Sequence, residues 1–173
     1  MLIISIAYHV MVSKDWLMEQ WLQNYLQFHR TLPIEFNNLK KIIGLQHGKV
    51  YNSLRELRYG RLMIMTDADL DGSHIKGLVL NMFHVYWPKL IELGFVVSMV
   101  TPVIKAGKTW FFTEDEYRQS ASGSGPVKYY KGLGTSTGKD IKESFGQKII
   151  EFTEDEKCDE TMDKVFSNSK SDE

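Results

Sequence analysis

One cysteine, Cys158, occurs in 173 residues, which excludes an internal disulfide framework and suits a reducing compartment. No apolar run reaches the roughly 18 residues that a membrane-spanning helix needs, so no membrane partner is expected. The stretch from Met1 to Val12 is apolar. It has no Lys or Arg ahead of it and no A-x-A-like cleavage site after it, so a secretory signal is not expected. No internal repeat is visible, and the G-x-x-x-x-G-K-[ST] phosphate loop is missing. Proline is scarce, with four residues in all, and Pro33, Pro88 and Pro102 punctuate the elements described next. Neither sign of charge dominates: the formal net charge is −1. That balance conceals a split, since residues 1–150 carry 18 Lys and Arg against 13 Asp and Glu, while 151–173 carry 3 against 9. A mildly basic body tolerates phosphate without arguing for it.

The length suits one domain. Residues 2–12 read as strand or helix. Ser13 or Asp15 can cap a helix whose Leu17, Met18, Trp21, Leu22, Tyr25 and Phe28 form one stripe, ended by Pro33. Asn37 or Asn38 can cap a short helix through Leu39, Ile42 and Ile43, closed near Gly44 or Gly48. Leu54 and Leu57 anchor a polar connection, and Arg61–Met65 reads as a buried strand. After Gly72 the period changes to 3.6: Ile75, Leu78, Val79, Met82, Phe83 and Tyr86 make a core-facing helix stripe. Pro88 bends or restarts that helix, Gly94 ends it, and Phe95–Val100 is the next buried strand, with Pro102 marking an edge or turn. Strand, crossover helix and strand make a βαβ unit with parallel strands. Trp110–Phe112 is a short strand. Thr113 and Glu116 form a capping box, 121–126 is a Ser/Gly-rich loop, and Val127–Tyr130 is a strand. A glycine turn over Lys131–Ser136 leads into a helix at about Gly138–Phe145. Beyond Ile150 an acidic, polar segment is expected to fray.

The run Leu62-Met63-Ile64-Met65-Thr66-Asp67-Ala68-Asp69-Leu70-Asp71-Gly72 concentrates the chemistry. Three alternating aspartates at the carboxyl end of a buried strand stand where open α/β sheets bind ligands. Their mutual repulsion is relieved by a cation, and hard oxygen donors favour Mg²⁺ or Ca²⁺. An EF-hand loop opens in the same way but needs a carboxylate at its twelfth position, which here is Leu78. Asp67 could instead attack a phosphate with Asp69 as acid, which leaves Asp71 unexplained. A capping Asx turn accounts for one aspartate but not for three.

Leu57-Arg58-Tyr59-Gly60, the TDADLDGSHIKG run ending at Gly77, Thr101-Pro102-Val103-Ile104-Lys105 and Lys128-Tyr129-Tyr130-Lys131-Gly132-Leu133-Gly134-Thr135-Ser136 occur in this order. Together they resemble the Toprim domain of type IIA DNA topoisomerases in their eukaryotic and viral form. The similarity covers about Asn37 to Phe145, with a weaker echo at Phe166–Glu173. It implies an α/β fold: a Toprim-like, mostly parallel sheet flanked by helices. The expected organisation is an unmatched leader (1–36), the Toprim domain (37–150), and an acidic segment (151–173) leading toward a winged-helix domain.

The resemblance also implies roles. Asp67 and Asp69 would be the main Mg²⁺ ligands, with Asp71 completing or tuning the site. Lys131 and Lys128 would approach the phosphates of double-stranded DNA, aided by the close-approach glycines Gly132 and Gly134, with His74 and Lys76 as further DNA-binding candidates. The implied chemistry is transesterification by a tyrosine, in an ATP-dependent, homodimeric nuclear enzyme completed by further topoisomerase domains or subunits. On its residues alone, Lys131 reads equally as a solvated surface lysine.

Two features of the family are not found. No Glu-Gly-Asp-Ser-type motif precedes Asp67, where Glu19, Glu35 and Glu56 are the only glutamates, and no tyrosine here can be named the nucleophile. No catalytic residue proper is therefore assigned within the chain. A separate subunit of a split topoisomerase fits, and so does a fragment with an unrelated leader; the missing glutamate favours the fragment. A non-catalytic Toprim remnant that binds metal or DNA is the alternative function. If residues 2–9 replace the first Toprim strand, they should form an edge strand without its acid.

Overall fold

The computed structural model describes residues 1–5, 34–120 and 125–166. The expected Ser13–Phe28 helix and most of the 121–126 loop lie outside them. The central sheet has four strands in the order β1 (Leu2–Ser5), β2 (Leu62–Met65), β3 (Val96–Met99) and β7 (Ile149–Glu151). The first three are parallel, with Leu2 opposite Leu62 and Leu62 opposite Val96, and β7 closes the other edge antiparallel. The mostly parallel α/β sheet is as expected. So is the edge strand at the amino end, and Leu2–Ser5 holds no acidic residue.

β2 and β3 are buried along their whole length. An unbroken apolar run suits them because a parallel sheet is covered on both faces. Alternation along β2 turns Leu62 and Ile64 into the main core, against the long helix α2 (Leu70–Tyr86) and the short α3 (Pro88–Glu92). Met63 and Met65 point the other way and cluster with Val97 and Met99, against which Leu133 packs. Pro88 occupies the first turn of α3, so it restarts the helix after Trp87 instead of merely bending it. Trp87 is buried and donates from Nε1 to the Gln46 carbonyl at 2.9 Å.

Helix α1 (Ile34–Ile43) corrects one expectation. It begins ahead of Asn37 and Asn38, which lie inside it and are not its caps. Burial decides the start: Phe36, partly buried Leu39 and Ile43 face the core at helical spacing, leaving Ile42 exposed at 48%. Gly44 ends α1 at φ +88°, where its amide and that of Leu45 both reach the Lys40 carbonyl at 2.9 Å.

A second, antiparallel sheet joins the two expected short strands to a third that was not anticipated. Its order is β5 (Thr109–Phe111), β4 (Ile104–Ala106), β6 (Val127–Tyr129). Helix α4 (Glu114–Gln119) follows β5 and carries the expected capping box: Glu116 N–H donates to Thr113 Oγ1 at 3.1 Å, and Thr113 N–H to Glu116 Oε2 at 3.2 Å. Helix α5 (Gly138–Ser144) follows the glycine turn. The acidic stretch after Ile150 contains the end of β7 and then helix α6 (Cys158–Phe166). Asp159 and Glu160 in its first turn suit the positive end of a helix dipole. Residues 167–173 are outside the described part.

Candidate metal and phosphate site

The carboxyl end of β2 is fixed before the aspartates begin. Thr66 is buried, and its carbonyl accepts from Thr101 Oγ1 at 2.6 Å, tying the ends of β2 and β3 together. Asp69 then caps α2: its backbone is extended, and Oδ1 accepts from the Gly72 amide at 2.7 Å. Its carbonyl accepts from the Ser73 hydroxyl and amide, each at 3.1 Å. Asp71 sits half-buried in the first helical turn.

Asp67 is held from two sides. A Cβ at Gly72 would fall 2.1 Å from the Asp67 carbonyl oxygen, so only glycine lets the chain turn back so tightly. A Cβ at Gly132 would fall 2.4 Å from the Asp67 carboxylate. Gly132 is extended, at φ 168°, so its requirement is space and not an unusual dihedral. The next amide, Leu133 N–H, donates to Asp67 Oδ1 at 2.6 Å. The two sequence motifs, separated by 66 residues, therefore meet at one carboxylate.

Thr135 shapes the glycine turn. Its Oγ1 accepts from Lys131 N–H at 3.1 Å and donates to the Gly132 carbonyl at 2.8 Å. The next anchor is a capping box on α5, with Asp140 N–H donating to Thr137 Oγ1 at 3.2 Å and Thr137 Oγ1 to Asp140 Oδ2 at 2.8 Å. Asp140 also takes Lys128 Nζ at 2.8 Å and lies 3.7 Å from Lys105 Nζ, which pairs in turn with Glu143 at 2.6 Å. Lys128 beside it, helped by the Thr137 hydroxyl and amide, holds the Asp140 carboxyl well below the usual carboxylate range. The same bond raises the Lys128 ammonium. Lys128 and Lys105 also lie over the rings of Tyr130 and Trp110, at 4.5 and 4.4 Å from the centroids. Burial pushes the Tyr130 phenol up.

The expected phosphate contacts therefore differ in kind. Lys128 is committed to Asp140. Lys131 is exposed, and its ammonium has no ion-pair partner among the described residues. It borders an open cleft of about 550 Å³ lined by Ala68, Ile104, Phe112, Glu114, Tyr129 and Tyr130, among others. Gly132 is buried against Asp67, whereas Gly134 is exposed with open space where a Cβ would go. His74 and Lys76 are half-buried on the first turns of α2, without hydrogen bonds or ion pairs from their side chains among the described residues. Thr137 and Asp140 were not singled out from the sequence, and Thr101 only as the start of the Thr101–Lys105 stretch. Thr137-x-x-Asp140 carries a readable capping-box signal, but the Thr101 contact has none.

The donor chemistry at the turn fits Mg²⁺. Asp67 and Asp69 each commit one oxygen to a backbone amide and keep a second. Mg²⁺ commonly takes one or two carboxylates and fills its remaining positions with water and phosphate.

Residues 99–173 match the family model described as the C-terminal associated domain of TOPRIM. The chain is 46% identical over 151 residues to probable DNA topoisomerase 2 of Dictyostelium discoideum, covering 80% of this chain and 10% of that protein. It is 48% identical over 123 residues to human DNA topoisomerase 2-beta, covering 64% of this chain and 8% of the relative. A crystal structure of the DNA-binding, cleavage and re-ligation domain of Plasmodium falciparum topoisomerase II aligns with a TM-score of 0.71 and 35% identity, over 97% of this chain and 23% of that one. The chain thus spans about a tenth of the length of the curated relatives it matches. With Asp67 seated in its glycine turn, the chain matches the Toprim region of eukaryotic DNA topoisomerase 2 proteins in sequence and in fold.

Proposed function

We propose that this chain supplies the metal-binding and phosphate-binding part of a type IIA topoisomerase cleavage and religation site, acting on double-stranded DNA. The observation that carries the reading is the seating of Asp67, whose carboxylate is fixed by Leu133 N–H inside the notch left by Gly132. That bond commits Oδ1 and leaves Oδ2 without a hydrogen bond among the described residues. Asp69 caps the helix start and Asp71 lies in its first turn; Asp67 and Asp69 would hold Mg²⁺, with Asp71 tuning the site. When bound, Mg²⁺ would stabilise negative charge on the phosphate and on the leaving 3′-oxygen. Lys131, exposed and lining the cleft, has an ammonium without an ion-pair partner among the described residues, which a backbone phosphate can take. Lys128 contributes by holding Asp140, and so the turn, in place.

The nucleophilic tyrosine, the acidic glutamate and the ATP-binding region would come from further topoisomerase segments, in a homodimer and in the nucleus. The test is complementation. Supplied with those segments, the chain should support Mg²⁺-dependent, ATP-dependent relaxation of supercoiled DNA, abolished by Asp67→Ala and by Asp69→Ala. Relaxation that survives both substitutions rejects the reading. DNA binding with no relaxation under any complementation would leave only a metal- or DNA-binding remnant.

A further inference from the structure

A second group of ligating side chains lies at the far end of α2. His84 in its last turn, Glu154 just after β7 and Asp159 in the first turn of α6 each bring one ligand atom within 4.8 Å of the others. His84 Nε2 lies 3.2 Å from Asp159 Oδ1, and Nδ1 lies 3.8 Å from Glu154 Oε1. The histidine is largely enclosed, with 14% of its side chain exposed, and Asp159 reaches it from solvent at 91%. With about 1.5 Å of rise per residue, roughly 20 Å of helix separates His84 from Asp71, so this cluster is distinct from the aspartate turn.

We propose that His84, Glu154 and Asp159 bind a divalent transition-metal ion of the Zn²⁺ type, which staples α6 and the Glu154 segment to the end of α2. Two donors that share one ion at about 2.1 Å stand about 3 to 3.4 Å apart. The His84–Asp159 pair already has that separation, and Glu154 brings a ligand atom within 4.8 Å of both. The donor set selects the ion: Mg²⁺ and Ca²⁺ prefer all-oxygen shells, whereas imidazole with carboxylates suits Zn²⁺. Three protein ligands leave a position for water, so the ion holds elements together without closing a four-ligand cage.

The experiment titrates the metal-free 173-residue chain with Zn²⁺ in a large excess of Mg²⁺, followed by calorimetry, with Co²⁺ absorption as a second readout. The expected result is one equivalent of Zn²⁺ bound, with affinity at least tenfold weaker in His84→Gln and in Asp159→Asn and unchanged in the Asp67→Asn/Asp69→Asn double variant and in Cys158→Ser. Zn²⁺ should also raise the thermal midpoint of the parent chain but not that of Asp159→Asn. Asp159 is too exposed for its substitution to unfold the protein, so that variant remains readable if His84→Gln does not fold. No saturable Zn²⁺ uptake, as a simple imidazolium–carboxylate pair would give, overturns the proposal. So does uptake that Asp159→Asn leaves intact, or that is lost only in the Asp67/Asp69 or Cys158 variants.

Discussion

The amide of Leu133 donates to the carboxylate of Asp67 at 2.6 Å, while the Leu133 side chain packs on the Met63, Met65, Val97 and Met99 cluster beneath. One residue thus joins the glycine turn to the sheet through its side chain and to the acidic turn through its backbone. The aspartate that would face a metal and the loop that would face a phosphate are held by the same anchor.

Substitution at the two turn glycines should separate space from flexibility. Gly132→Ala places a methyl 2.4 Å from the Asp67 carboxylate and must displace it, at a cost of about 1–3 kcal/mol in stability and with weakened Mg²⁺ binding. Gly134→Ala enters open space and should stay within about 0.5 kcal/mol of the parent. Denaturant unfolding of both variants checks this, and equal effects would contradict the Asp67 notch.

Gly72→Ala should be worse tolerated than Gly132→Ala. Its methyl meets a backbone oxygen at 2.1 Å, and no rotamer of a neighbouring side chain can relieve that contact. Overpacking of this kind costs about 1–3 kcal/mol or more, and thermal unfolding should rank the two variants in this order.

Asp67→Asn keeps an oxygen for the Leu133 amide but loses the charge. Stability should change by less than about 1 kcal/mol, while Mg²⁺ affinity measured by calorimetry falls about tenfold or more. Asp67→Ala loses both the bond and the charge, so it should reduce stability as well. Mg²⁺ affinity unchanged in both variants would remove Asp67 from the ligand set.

The two lysines beside the turn should behave differently. Lys131→Ala should weaken duplex DNA binding and lower the salt slope by about 1, with stability within about 0.5 kcal/mol of the parent. Lys128→Ala strips Asp140 of its ammonium partner, so its main effect should appear in unfolding and not in the salt slope.

Acid should loosen the anchor of the turn. The Asp140 carboxyl is held below its ordinary value of 3.8 in the folded chain, chiefly by Lys128. A depressed carboxylate contributes stability that is present in full above its unfolded value and is lost as pH falls from there through the lower folded value. Stability measured from pH 6 into the acid range should therefore fall less steeply below about pH 4 in Asp140→Asn than in the parent. Identical slopes would show that Asp140 is not the linked group.

Residues near one another in sequence were legible because short-range chemistry governs them. The apolar run ending at Met65, the 3.6-residue stripe from Ile75, the restart at Pro88 and the Thr113–Glu116 box all stand where period, proline geometry and capping place them. The caps of α1 were not, because burial of Phe36 extends the helix ahead of Asn37 and Asn38. The short strands β4 and β7 were also missed.

The sequence by itself determined the strand–turn–helix carrying Asp67, Asp69 and Asp71, the glycine turn at Lys131–Ser136, and, through their order, the kinship with type IIA topoisomerases. Only the tertiary structure decided how these parts work together. It seats Asp67 in the notch of Gly132, assigns Lys128 to Asp140 while Lys131 has no ion-pair partner among the described residues, and gathers His84, Glu154 and Asp159 from three separate segments. The reason is physical: capping and periodicity act within a few residues, whereas a shared carboxylate or an ion pair depends on which distant segments the packed sheet brings side by side.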